Sequence, residues 1–136
     1  MIAFAQIYCH FIWRIENNSK KMNQLTRDLV KKFILDSQEK FAYECIAISV
    51  LEDHIHFLAK ILPGVAPGDL VVRLKQELYD YLIKQMAMTS PPRWDEGYGI
   101  VSVSKSHLDI VKEYINNQNK RHRENKINKT LERVRE

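Results

Sequence analysis

Cysteine is scarce in this chain: only Cys9 and Cys45 occur in 136 residues. They lie in apolar alternating segments without metal-ligand spacing, which argues against a disulfide scaffold or a cysteine metal site and reads as two reduced core residues. No run of about 18 apolar residues is present, so no membrane-spanning helix is expected. The opening Met1-Ile2-Ala3-Phe4 lacks the basic start and small-residue cleavage site of a signal peptide, and a cytoplasmic location follows as the expectation. A Gly-rich phosphate loop is also missing, so no nucleotide cofactor is expected. So is the basic-Gly-aromatic signature of RNA-recognition domains.

What is present is the composition of one ordinary folded domain, 45% hydrophobic and 28% charged. At this length folding buries roughly two-thirds of the surface of the unfolded chain, enough for a core without metal or disulfide staples. A metal here would therefore serve chemistry rather than folding. The net charge of +4 is carried by the last stretch: residues 119–136 hold seven Lys or Arg against three Glu, while residues 1–118 are neutral. This divides the chain into a domain over residues 1–118 and a basic extension over 119–136, next to which a polyanion would be favoured. A solvated helical tail is the other reading of the same charges.

The run Ala3 to Arg14 is aromatic and β-branched and predicts a buried strand. After the polar turn Glu16-Asn17-Asn18-Ser19, Leu25, Leu29, Val30, Phe33 and Ile34 recur at helical spacing and predict a helix from about Met22 to Gln38. Phe41 to Leu51 and His54 to Leu62 read as two strands, and the two residues between them suit an antiparallel hairpin. Pro67 can open a second helix over about Gly68 to Met88, with Leu70, Leu74, Leu78, Tyr81 and Leu82 inward. Ser90-Pro91-Pro92 breaks it, and Ile100 to Val103 reads as a fourth strand. Ser106-His107-Leu108-Asp109 has the form of a helix N-cap, so a third helix is expected to start there and continue past Gln118. The order strand, helix, strand, strand, helix, strand plus one helix predicts an α+β, ferredoxin-like (RRM-like) four-stranded antiparallel sheet. Its helices would cover one face and leave the other for a partner, with the additional helix C-terminal. Such a fold does not fix a function.

His54 and His56 stand two apart in a strand and so project from one face, where they provide half of a divalent-metal site or sit as polar residues on a wet surface. Asp53 beside them could orient a ring. On the third helix Tyr114 and Gln118 stand at i and i+4, which puts a phenol and an amide oxygen on one strip beside the apolar stripe Leu108, Val111 and Ile115.

Several segments together resemble the HUH single-tyrosine transposases of the insertion-sequence 200/605 type. They are Tyr8 to Trp13, His54-Ile55-His56, Trp94 through Gly97-Tyr98-Gly99 into Val101-Ser102-Val103-Ser104, and Glu113-Tyr114-Ile115-Asn116-Asn117-Gln118. The likeness runs from Ala3 to His122. It implies that His54, His56 and Gln118 ligate Mg²⁺ or Mn²⁺ and that Tyr114 attacks a phosphate of hairpin-bearing single-stranded DNA. The attack would give a 5′-phosphotyrosine link that a second 3′-OH can reverse. It also implies a homodimer whose tyrosine helix can complete the partner's site, with the polar Ser104-Lys105-Ser106 junction permitting the exchange. Arg73, Lys75, Lys120, Arg121 and Arg123 are then candidates for DNA-backbone contacts. Where family members commonly carry Gly and small hydroxyl residues after the lysine of helix two, this chain has Gln76-Glu77. The rival reading is a non-catalytic single-stranded nucleic-acid-binding module on the same fold, stacking bases on Tyr8 or Phe57.

Overall fold

In a computed structural model the described residues are 4–87, 90–118 and 129–135. The elements follow in the order β1 (Ile7–Arg14), α1 (Gln24–Asp36), β2 (Tyr43–Val50), β3 (His54–Ile61), α2 (Pro67–Gln85), β4 (Gly99–Val103) and α3 (Leu108–Asn116). The strands form one sheet in the order β2-β3-β1-β4, with every pair antiparallel. This is the expected ferredoxin-like arrangement. Among the described residues no helix is long and apolar enough to cross a membrane.

Local chemistry accounts for the element ends. Asn23 caps α1 through its side chain, Oδ1 accepting from the Thr26 amide at 2.9 Å. Pro67 occupies the first turn of α2, where Asp69 complements the helix dipole. Three residues, Leu51 to Asp53, lie between β2 and β3 rather than two, with the Leu51 amide donating to the His54 carbonyl at 2.9 Å across the turn, and a bulge between Cys45 and Ala47 shifts the register partway along the hairpin. Leu25, one of the apolar positions whose spacing predicted α1, is exposed, and Thr26, Val30 and Ile34 are its buried residues.

Strand alternation divides the sheet into two unlike faces. Cys9, Phe11, Trp13, Ile55, Phe57, Ala59 and Ile61 meet α1 and α2 in the main core, joined by Leu70, Leu74, Leu78 and Leu82. The opposite face carries His10 and Ile12 of β1 opposite Leu58 and His56 of β3. It is not left open as far as β2 and β3 are concerned: α3 packs there, with Val111 and Ile115 against Tyr8, Ala47, Leu58 and Val103.

The start of α3 departs from the expected capping box. Lys105–His107 form a 3-10 turn, His107 precedes α3 without any side-chain cap bond, and the Ser106 hydroxyl lies 3.1 Å from His107 Nδ1 instead. The α-helix ends at Asn116, with Asn117 as its cap.

Candidate active site

The two histidines are fixed by partners behind them. His54 Nδ1 lies 2.6 Å from Asp53 Oδ1, so its Nε2 faces the α3 side of the sheet. His56 Nδ1 lies 2.8 Å from Nε2 of His10, which turns His56 Nε2 toward the same place. All three rings are buried. The histidine rings are 5.0 Å apart between His54 and His56, and 5.0 Å between His10 and His56.

Both Nε2 atoms converge on one carboxylate, that of Glu132. His54 Nε2 is 3.3 Å from Oε1, and His56 Nε2 is 3.0 Å from Oε2. The phenol of Tyr114 donates to Oε2 at 2.6 Å, and the Arg14 guanidinium stands 3.6 Å from Oε1. Tyr114 is itself buried, its ring 6.2 Å from that of His56 in an edge-on arrangement. Gln118 is buried one turn on and donates its amide nitrogen to the Tyr114 carbonyl at 3.1 Å. That bond satisfies one of the carbonyls left over at a helix C-terminus.

The electrostatics follow from this packing. Burial would push the Glu132 carboxyl up, but hydrogen bonds from His54 and His56, the charge of His56, and the Tyr114 hydroxyl hold it well below the usual carboxylate range. For His54, burial works against the imidazolium, yet the bonds to Asp53 and Glu132 outweigh it and raise the pKa. For His10 the pull of Glu132 is outweighed: burial first, then the neighbouring His56, lower it to about 3, so it stays neutral.

Two imidazole nitrogens and a carboxylate oxygen, all within 4.8 Å of one another, form a cluster able to hold a divalent cation. The donor set is of the nitrogen-oxygen type that first-row divalent metals accept. The backing of His54 by Asp53 and of His56 by His10 is what a metal-ligating histidine needs.

The site brings together His54, His56 and Tyr114 within a single chain, and Gln118 is buried one turn beyond Tyr114 on the same helix side. The expected DNA contacts fare differently. Lys75 is not a surface residue: it is buried, and its ammonium donates to the carbonyls of Asp95, Glu96 and Gly97 at 2.7, 3.5 and 3.3 Å. It joins α2 to the entry of β4, as part of the core architecture. Arg73 is exposed on α2, across the sheet from the histidines, with its guanidinium 5.2 Å from the Phe41 ring centre. Lys120, Arg121 and Arg123 lie outside the described residues. Tyr8 and Phe57, the stacking candidates of the rival reading, are both buried.

Three residues of the site, His10, Arg14 and Glu132, were missed by sequence reasoning, Arg14 being noted only as the end of the first strand. His10 carried a signal, a lone polar residue in the middle of an otherwise buried strand. Glu132 carried none, since it follows His56 by 76 residues inside a segment whose visible feature is basic charge.

The sequence profile of the family described as "Transposase IS200 like" matches residues 3–118, a span that holds both histidines, Tyr114 and Gln118. No curated protein matches the chain significantly in sequence. Among solved structures, the chain superposes on a protein of Deinococcus radiodurans R1 described as a transposase, with TM-score 0.68 and 20% identity over 87% of this chain and 95% of that one. It also superposes on a REP-associated tyrosine transposase solved bound to a REP hairpin, with TM-score 0.66 and 12% identity over 90% of this chain and 72% of that one. At these identities the superpositions speak for the fold, while the profile spans residues 3–118, most of the chain, and on that ground the chain belongs to the IS200-like transposase family.

Proposed function

We propose that this chain cleaves and rejoins single-stranded DNA at hairpin-bearing ends through a covalent link to Tyr114. One observation carries the reading: the Tyr114 hydroxyl and the Nε2 atoms of His54 and His56 all point at one anionic group. A scissile phosphate in that place would be in reach of nucleophile and metal-ligating side chains together. His54, His56 and Gln118 would hold Mg²⁺ or Mn²⁺, with a carboxylate such as Glu132 as a further ligand-type group. Bound there, the ion would supply Lewis-acid polarisation of the phosphate and neutralise its charge.

The remaining steps belong to the protein. Asp53 and His10 keep the two imidazoles aimed at the phosphate. Tyr114, seated by the burial of α3, forms the bond from its phenolic oxygen to phosphorus and gives up its proton. The phosphorus–O3′ bond breaks, and the departing 3′ oxygen takes up a proton. A 5′-phosphotyrosine and a free 3′-OH result, and attack by another 3′-OH reverses the step and joins strands without ATP. Lys120, Arg121, Arg123 and Arg73 supply candidate contacts to the DNA backbone. Assembly as a homodimer belongs to the same reading, each subunit then carrying such a site. The binding-module alternative loses support from the burial of Tyr8 and Phe57.

The test is to incubate the protein with Mg²⁺ and labelled hairpin-bearing single-stranded oligonucleotides and to look for a protein–DNA adduct that survives denaturation. The adduct is expected with the wild type and absent with Tyr114→Phe. Its persistence in a folded Tyr114→Phe protein would remove Tyr114 as nucleophile.

A further inference from the structure

Arg14 brings a permanent positive charge to the site, and β1 sets where it stands. Alternation along the strand puts His10, Ile12 and Arg14 on the face that carries the histidines, while Phe11 and Trp13 turn into the main core. In the register of β1 with β3, Arg14 is opposite His54 and Ile12 is opposite His56. The backbone there is held from both sides. The Arg14 carbonyl accepts from the Asp95 amide at 2.8 Å, and the next amide, that of Ile15, donates to the Asp53 carbonyl at 3.0 Å. The strand end is therefore fixed, while 34% of the Arg14 side chain stays open to solvent.

The guanidinium stands 3.6 Å from Glu132 Oε1, on the carboxylate where His54, His56 and Tyr114 converge. Among the described residues no other Lys or Arg is ion-paired with that group. Lys75 is spent on three backbone carbonyls, and Arg73 lies across the sheet. The charge of Arg14 is felt by its neighbours: it opposes protonation of His54 and helps keep Asp53 ionised. A guanidinium disfavours a second cation beside it, so Arg14 contributes nothing to holding a metal; what it favours is an anion.

The reaction proposed above gathers such charge at this place. As the bond from the Tyr114 oxygen to phosphorus forms and the phosphorus–O3′ bond breaks, negative charge builds on the non-bridging oxygens of the phosphate. A guanidinium presents its N–H groups in a planar fork that matches two such oxygens. We infer that Arg14 is a further catalytic residue, which binds the non-bridging oxygens of the scissile phosphate and takes up the charge that builds on them when Tyr114 attacks. This role rests on the DNA-cleaving reading of the site, whose failure would show separately, in the wild type.

The wild type is first given Mn²⁺ and labelled hairpin-bearing single-stranded oligonucleotides, and the linkage that it cleaves is mapped. Single-turnover adduct rates at saturating oligonucleotide are then compared for wild type, Arg14→Lys and Arg14→Gln. Each is tested on that oligonucleotide and on a copy with an uncharged methylphosphonate at the mapped linkage, and Mn²⁺ affinity is measured by calorimetry. Arg14→Gln is expected to slow adduct formation on the phosphodiester by about 100- to 1,000-fold, the scale of removing one transition-state donor. Arg14→Lys, which keeps the charge and loses the fork, should fall between the two. On the methylphosphonate the gap between wild type and Arg14→Gln should close, and Mn²⁺ should bind Arg14→Gln at least as tightly as wild type. A wild-type rate on the phosphodiester in folded Arg14→Gln overturns the role and leaves the DNA-cleaving reading standing. Weakened Mn²⁺ binding in Arg14→Gln overturns it by assigning the loss to the metal site. A loss that neither the methylphosphonate nor the charge of Arg14→Lys relieves overturns it in favour of a purely structural pairing with Glu132. If the wild type forms an adduct with no oligonucleotide, the functional reading falls and this role with it.

Discussion

His10 shows how one buried side chain can decide what its neighbour does. Its Nε2 faces His56 Nδ1 at 2.8 Å, and between two neutral imidazoles one nitrogen must donate and the other accept. When His56 gives its Nε2 hydrogen to Glu132, Nδ1 is the acceptor and His10 donates. When Nε2 is needed as a lone pair for a cation, the proton must sit on Nδ1 and His10 must accept. A ring kept neutral can take either part, and burial keeps His10 neutral by lowering its pKa to about 3. His10→Phe should therefore weaken Mn²⁺ binding by roughly 10- to 100-fold, as loss of a ligand's backing group does, and His10→Gln should restore part of it. Calorimetric titration with Mn²⁺ checks this, and wild-type affinity in His10→Phe would deny the role.

The same residue makes stability depend on pH. The unfolded chain protonates His10 near 6.5, the folded one only near 3, so its contribution is complete above 6.5 and is lost as pH falls from 6.5 toward 3. The slope approaches about 1.4 kcal/mol per pH unit. His54 has the opposite sign: its pKa is raised, so its contribution is complete below the ordinary 6.5 and is lost as pH rises through the folded value. The metal-free fold should be most stable near the shared ordinary value. Urea midpoints from about pH 4 to about pH 8.5 should peak there, and the acid-side loss should be shallower in His10→Gln.

At the scale of elements, α3 decides whether the site exists. Tyr114 reaches the histidines only while the helix is held against the sheet, and the hold is apolar: Ile115 is fully buried and Val111 nearly so, against Tyr8, Ala47, Leu58 and Val103. Ile115→Ala should cost about 2–5 kcal/mol of folding stability, the range for emptying a core aliphatic position. A larger proportional loss of adduct yield than of folded protein should accompany it. Equal losses in denaturation and adduct assays would mean that α3 does not position Tyr114 separately from the fold. The elements themselves were legible in the sequence, because alternation in the strands, the leucine spacing of α2, and Pro67 each have a local cause. What the sequence left open was which face of the sheet α3 docks on: the stripe Leu108, Val111 and Ile115 specifies an apolar surface and not its owner. The misreading of Lys75 has a similar origin. A lysine inside a helix looks solvated until the loop at Asp95 to Gly97 folds back to present three carbonyls to it, and that contact spans about twenty residues.

Across the whole molecule, the site is assembled from β1, β3, α3 and a segment beyond residue 128, so no single window of sequence contains it. The pairing of His54 with His56, and Tyr114 on the helix that meets them, were legible because periodicity and resemblance both mark them. Glu132 could not, since the signal of its surroundings is positive charge and its meeting with the histidines depends on the path of the chain. The carboxylate of Glu132 also ties the site to the fold: it meets side chains from β1, β3 and α3 at once, so the groups gathered there double as a seam between the sheet and α3.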